Sequence, residues 1–408
     1  MGWVTADAPT RAELDACVAC GLCLPHCPTF RLTGDETASP RGRLAAMSAV
    51  ADGLAEVDAV FAGIMDFCLQ CRACEVVCPS LVPFGRAMEG ARAEITEQLP
   101  SVRRRSRHFV LGRLLGRRRL MALAARLIAL LQRLGLHLVR AGPLKRLSGL
   151  RRIPLLGRRF VGRTWSPDDP SKGTVALLAG CVMEPWFASV NEATADVLRH
   201  AGYIVEVPEG QTCCGALAAH DGDAVGARAL ASRNVVAFAG YDMVVANAAG
   251  CSAQLKGYDH WGGADVAGIA RDVTEVAADL ILSGELPRLA STGEKVAVQD
   301  PCHLRHAQRI TDAPRLILEA AGYETIDVDP AGLCCGAAGA YVLTHPDTAS
   351  ELGYRKASEV AKTGARVVAS ANPGCEMQLR SHLDRRYRVA HPIELYWEAL
   401  RAGYSDDS

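Results

Sequence analysis

The sequence predicts an α+β multidomain protein: an all-helical domain over residues 1–97, a basic amphipathic helical connector over 98–170, and two tandem α/β repeats over 171–290 and 291–408. Three observations predict it. Cys17, Cys20, Cys23 and Cys27, and again Cys68, Cys71, Cys74 and Cys78, spell CxxCxxCxxxCP, closed by Pro28 and Pro79. Residues 98–167 carry 18 Arg and Lys and no Asp or Glu. A pattern of one cysteine, a Cys-Cys-Gly triplet and a last cysteine occurs twice, offset by 121 residues. At 408 residues, 49% hydrophobic and 22% charged, the chain suits about two to three domains with ordinary cores.

In the N-terminal domain, three cysteines spaced two apart curl onto one face of a tight loop, and the fourth, beside its proline, points elsewhere. In two-cluster ferredoxins that fourth cysteine serves the other cluster. One 4Fe-4S cluster is therefore assigned to Cys17, Cys20, Cys23 and Cys78, and a second to Cys68, Cys71, Cys74 and Cys27. Structural zinc is the rival, but zinc sites use two CxxC pairs rather than a run of three plus CP. The 40 residues between Cys27 and Cys68 exceed what a compact ferredoxin uses. Pro40 starts a helical pattern there, with Leu44, Met47, Val50, Leu54, Val57, Phe61 and Ile64 recurring every three or four positions. This suits a helical ferredoxin domain whose apolar stripe packs over the clusters.

The connector alternates apolar clusters with arginines: Phe109, Val110, Leu114 and Leu115, then Leu120 to Leu131, then Leu134, Leu136, Leu138 and Val139. Helical hairpins are expected. Leucines opposite arginines suit an anionic bilayer surface; the alternative is a connector whose leucines pack on other domains and whose arginines meet an acidic partner subunit. Nucleic acid is disfavoured because aromatic side chains for base stacking are sparse. The longest apolar run, Leu120 to Leu131, is 12 residues and carries Arg126, too short to span a membrane. The formal net charge of zero thus hides an acidic body carrying a basic belt. Sixteen cysteines in regular arrays, without an apolar leader core, point to a reducing cytoplasm.

Repeat one holds Cys181, Cys213, Cys214 and Cys251, and repeat two holds Cys302, Cys334, Cys335 and Cys375. The first cysteine precedes the pair by 32 positions in both, and the last follows it by 37 and then 40. Matching spacings of this length mark a duplication. Short β-type runs (174–179, 203–207, 243–246; 295–299, 324–328, 366–369) alternate with helical stretches (190–201; 314–321), which predicts parallel sheets with the cysteines beyond the carboxyl ends of the strands. Four cysteines from three loops converge only around a metal centre or a catalytic dithiol, and adjacent cysteines are too constrained for an easy mutual disulfide. The glycine after each pair lets backbone N–H groups approach the sulfurs.

These repeats resemble the cysteine-rich CCG domains of heterodisulfide reductase. With CVACGLCLPHCPTF, PRGR, CLQCRACEVVCPS, DPCHLRHAQ, CCGAAGAY and NPGC in that order, nearly the whole chain resembles the iron-sulfur subunits of glycolate oxidase. The resemblance implies two N-terminal 4Fe-4S clusters and a further cluster in each CCG repeat. It also implies FAD-containing partner subunits that oxidise a 2-hydroxy acid, and electron delivery toward quinone from the inner face of the cytoplasmic membrane. No flavin is expected on this chain, and no catalytic residue. The related alternatives are a disulfide reductase acting at the CCG sites, or the iron-sulfur subunit of a lactate or glycerol 3-phosphate dehydrogenase. One departure concerns the repeats: heterodisulfide reductase repeats with noncubane clusters end in CxxC, whereas Cys251 and Cys375 each stand alone. His303, next to Cys302, is placed beside the ligands, to orient one, relay a proton or bind a quinone head group, unless it is a packing histidine. No GxGxxG opens a helix, so no nucleotide site is expected.

Overall fold

The computed structural model describes residues 2–135, 149–155, 157, 159–169 and 172–406. Leu136, Leu138 and Val139 of the connector pattern lie outside them.

No strand occurs among the described residues before Thr164. The helices of the N-terminal domain start where the sequence offers caps. Thr10 and Glu13 form a reciprocal capping box on Arg11–Asp15, Ser39 caps Pro40–Ala51, and Asp58 caps Ala59–Asp66. Pro28 occupies the first turn of Pro28–Thr33, where its missing N–H costs nothing. Leu44, Met47, Val50, Val57, Phe61 and Met65 pack with Met88 and Ile95 of the helix Phe84–Gln98 into one core that also holds Cys68 and Cys74. The apolar stripe therefore lies against the cysteine arrays, with one exception: Leu54 is 81% exposed because the chain turns at Gly53, after the helix has ended.

The connector forms a helix Val102–His108, a wide π-type turn Phe109–Leu114 and a helix Arg118–Arg133. The last helix packs inside out. Its small face, Met121, Ala125 and Ala129, is buried, while Leu123, Leu127, Leu130 and Leu134 stand exposed. No helix among the described residues is long and apolar enough to cross a membrane. Ion pairs hold the connector to the body: Arg104 to Asp66, Arg107 to Asp221, and Arg151 to both Glu376 and Glu394.

Each repeat builds a mostly parallel sheet. The first contains β1 (Thr164–Trp165), β2 (Thr174–Leu177), β3 (Ile204–Glu206), β4 (Val244–Ala246) and β5 (Ala270–Asp272) in the order β1-β3-β2-β4-β5. The second contains β6 (Lys295–Val298), β7 (Glu324–Asp327), β8 (Val367–Ala369) and β9 (Arg388–Ala390) in the order β7-β6-β8-β9. Apart from β1, the two orders are the same, as a duplication requires. All pairings are parallel except β1 with β3, so the end of the connector joins the first sheet as an antiparallel edge. The predicted β-runs are each found, one or two residues shorter; β1, β5 and β9 were not anticipated, since they are two or three residues long with no alternating pattern.

The repeats face each other through helices. Ala188–His200 packs on Pro392–Asp406, and Val273–Leu282 packs on Asp312–Ala320, burying Val197, Leu280, Ile281, Ile317, Ile393 and Tyr396 in a shared core. Each large aliphatic side chain buried there contributes about 1.5–3 kcal/mol. Closer to the cysteines the backbones meet directly, Ala249 N donating to Ala371 O at 3.0 Å.

Candidate metal centres

Both N-terminal arrays curl for the same reason. Ala19 and Gly21, and at the equivalent positions Gln70 and Arg72, take left-handed φ values of 55°, 82°, 51° and 61°. Such a conformation costs a non-glycine residue about 1–2 kcal/mol and turns successive thiols toward one point. Cys17, Cys20, Cys23 and Cys78 line a single cavity of about 440 Å³, open mouth included, whose other walls include Cys74, Pro40, Leu44, Val82 and Phe84. Cys27 points away from it. Its Sγ lies 3.2 Å from Thr29 Oγ1, and it is among the charges felt by Cys71 and Cys74. Burial pushes the Cys71 and Cys74 thiols well up, so a cation must accompany their ionisation.

In the repeats the strands β2, β3 and β4 deliver their cysteines from their carboxyl ends, as do β6, β7 and β8. Cys181 Sγ meets Cys213 Sγ at 3.3 Å, and Cys214 Sγ meets Cys251 Sγ at 3.3 Å. The second repeat repeats the contacts, Cys302 with Cys334 and Cys335 with Cys375. Within the first set the contacts act in opposite senses: hydrogen bonds with Cys181 and Cys214 pull Cys213 down, while those two thiols are pushed up. Gly215 and Gly336, at φ 91° and 85°, make the turn after each pair. Gly336 N donates to Cys334 Sγ at 3.4 Å. Behind the first pair, Asn234 Nδ2 donates to Cys213 O and Tyr258 OH to Cys214 O, at 3.0 and 2.7 Å.

The donor chemistry fits iron-sulfur groups. Each set offers four cysteine thiols, and a multi-iron group spreads four thiolates over several metal atoms.

The N-terminal domain meets the repeats at these sites. After burial, the neighbouring Cys302 is the next influence holding the Cys71 thiol up, and Leu69, Cys71 and Ala73 share an apolar cluster with Cys302, Cys334, Tyr341 and Leu352. The sequence reading singled out His303, whose Nδ1 is 3.6 Å from Cys302 Sγ. Its ring sits 5.1 Å from that of His220, which bonds Glu89 Oε1 at 2.9 Å. Burial drives His220 down despite that carboxylate. His306 turns away and bonds Gly332 O. Sequence reasoning missed Arg92, Asn234, Tyr258 and Asn372, whose Nδ2 is 3.6 Å from Cys375 Sγ. Arg43, the last residue of PRGR, has no pattern along the chain that marks it for a role.

Comparison with known proteins gives the family. Residues 13–82 match the 4Fe-4S dicluster domain, and residues 175–256 and 296–380 each match the cysteine-rich domain family. The chain is 34% identical to the probable glycolate oxidase iron-sulfur subunit of Bacillus subtilis and 35% identical to the glycolate oxidase iron-sulfur subunit of Escherichia coli. In both cases the match spans 95% of this chain and 94% of the relative. Lactate utilization protein A of Bacillus velezensis is 28% identical over 54% of this chain and 98% of its own length. With nearly its full length matched and both cluster-binding units in order, the chain belongs to the glycolate oxidase iron-sulfur subunit family.

Proposed function

We propose that this chain is the electron-transfer subunit of a flavin-dependent 2-hydroxy-acid oxidoreductase, accepting electrons from an FAD-containing partner and passing them toward quinone. The observation that carries this reading is the apposition of Cys71 and Cys302, which brings an N-terminal array against a CCG site inside one apolar cluster. Bound iron-sulfur clusters supply one-electron storage. The chain's own residues bury the thiols, curl the two arrays, and orient Cys302, Cys334 and Cys375 through His303, Gly336 N and Asn372. Cys17, Cys20, Cys23 and Cys78 hold one 4Fe-4S group, and Cys27, Cys68, Cys71 and Cys74 the other. Cys181, Cys213, Cys214 and Cys251 hold a further group in the first repeat, and Cys302, Cys334, Cys335 and Cys375 one in the second. With four cysteines on each side, the sites suit electron storage better than attack on a disulfide substrate.

Peripheral membrane contact is assigned to the connector. Leu123, Leu127, Leu130 and Leu134 face outward beside exposed Arg119, Arg126 and Arg133, a pairing that suits an anionic lipid surface.

The test is copurification under anaerobic conditions, followed by addition of glycolate or lactate. A copurifying flavoprotein and substrate-dependent bleaching of iron-sulfur absorbance are expected. Disulfide reduction by the isolated chain, with no flavoprotein partner, would overturn the reading.

A further inference from the structure

Two buried guanidiniums stand beside Cys27, Cys68, Cys71 and Cys74 without a carboxylate. Arg43 is 1% exposed. Its Nε donates to Ile64 O at 3.0 Å, Nη1 to Ala38 O at 2.8 Å and Nη2 to Thr29 Oγ1 at 3.2 Å, and Nη1 lies 4.0 Å from Cys27 Sγ. Arg92 is 8% exposed. Its Nη2 donates to the carbonyls of Met65, Asp66 and Cys68 at 2.8, 3.3 and 2.6 Å, and Nη1 to His220 O at 2.6 Å. Neither has an ion-pair partner among the described residues. At the other array the arrangement is different: Arg41, which reaches Ala19 O, is part-exposed and paired with Glu36 through two bonds of 2.8 and 3.0 Å.

A buried guanidinium with no carboxylate partner keeps its charge in a medium that screens it weakly. Carbonyl dipoles compensate part of the burial cost; the thiol within reach is Cys27, 4.0 Å from Arg43 Nη1, and Arg92 touches the array at the Cys68 carbonyl, where it meets whatever negative charge the site gains. We propose that Arg43 and Arg92 raise the reduction potential of the site formed by Cys27, Cys68, Cys71 and Cys74. This rests on the reading that these four hold one of the two N-terminal clusters. Reduction there adds one electron and makes or breaks no bond, so the charge gained meets two fixed positive charges. The Cys17, Cys20, Cys23 and Cys78 site lacks this bias, since the arginine beside it is already neutralised and wet. Both arginines act through position and charge and neither is a ligand.

The test is an electron-resonance-monitored dithionite titration of the full chain with its clusters, for wild type, Arg43→Gln, Arg92→Gln and Arg43→Lys. Arg43→Gln and Arg92→Gln are expected to move the same signal to lower potential. The expected size is more than tenfold in reduced-to-oxidised ratio at fixed potential, about 59 mV per tenfold for one electron. Arg43→Lys keeps the charge and is expected to stay within about threefold of wild type. Unmoved signals in both glutamine variants overturn the proposal, as does an Arg43→Lys shift as large as that of Arg43→Gln, which would make shape rather than charge the cause. If Arg43→Gln fails to take up iron, Arg92→Gln decides by the same criterion. A wild-type chain with fewer than about eight irons and a single 4Fe-4S signal would instead sink the ligand assignment, and the proposal with it.

Discussion

Replacing Arg151 with methionine removes the cation that fixes the connector to the second repeat. Arg151 grips Glu376 through bonds of 2.5 and 2.6 Å and Glu394 through bonds of 2.6 and 2.7 Å, with side-chain exposures of 2% and 8% for the two carboxylates. Glu376 keeps Arg380 after the change, at 2.7 Å, so Glu394 bears most of the loss. Leaving one buried partner of an ion pair alone costs about 3–5 kcal/mol. The pH dependence gives a second handle. Burial opposes ionisation of Glu394, but the Arg151 guanidinium outweighs it and holds the carboxyl at about 2 rather than 4.5. A depressed carboxyl contributes stability that is complete above pH 4.5 and is lost as pH falls toward 2, about 3 kcal/mol in all. In Arg151→Met the buried carboxyl is pushed up instead, so the damage should be largest near pH 8 and shrink toward pH 5. Hydrogen exchange of the helix Pro392–Asp406 reads this directly. Protection factors are expected to fall by about a hundredfold or more at pH 8 and by clearly less at pH 5. Protection within threefold of wild type at both pH values would refute the reasoning.

Three further outcomes are expected. His391, buried and held at about 4, resists protonation in the fold, so stability should fall by about 3 kcal/mol as pH drops from 6.5 to 4; His391→Asn should flatten that limb of the thermal-melting profile. Gly336→Ala places a Cβ 2.7 Å from Ala349 O at φ 85°, and should cost the second repeat its iron while sparing the N-terminal clusters. Gly284→Ala, with positive φ but nothing within 4 Å, is the control for backbone strain alone. Leu123→Glu with Leu127→Glu should abolish flotation with phosphatidylglycerol vesicles without changing iron content; unaltered flotation would remove lipid contact from this helix.

The sequence made the cysteine geometry legible because local spacing decides it: three thiols two residues apart, a proline after the fourth, and a duplicated frame of 32 positions. Strands β2, β3 and β4 and their counterparts were visible for the same reason, being short apolar runs ending at the cysteine loops. The inside-out packing of Arg118–Arg133 was not legible. Both of its faces are apolar, one with alanines and one with leucines, and periodicity cannot say which turns inward. Asn234 and Tyr258 escaped because each acts across 21 or 44 residues on a backbone carbonyl, which leaves no pattern along the chain. Arg92 looked like any arginine on an amphipathic helix until Met65 and Cys68 folded over it.

The way the two repeats clasp each other has an evolutionary reading. The helix after the first cysteine in each repeat, Ala188–His200 or Asp312–Ala320, packs on the last helix of the opposite repeat, Pro392–Asp406 or Val273–Leu282. The two contacts are reciprocal in element order, as residue pairs are between identical subunits of a symmetric dimer. An ancestral single-repeat polypeptide that paired with itself, later joined end to end by gene fusion, would leave this arrangement behind. Its two thiol sites would once have been interchangeable. Today the N-terminal domain packs beside Cys302, and the matching positions of the two repeats hold different residues, Val182 and His303.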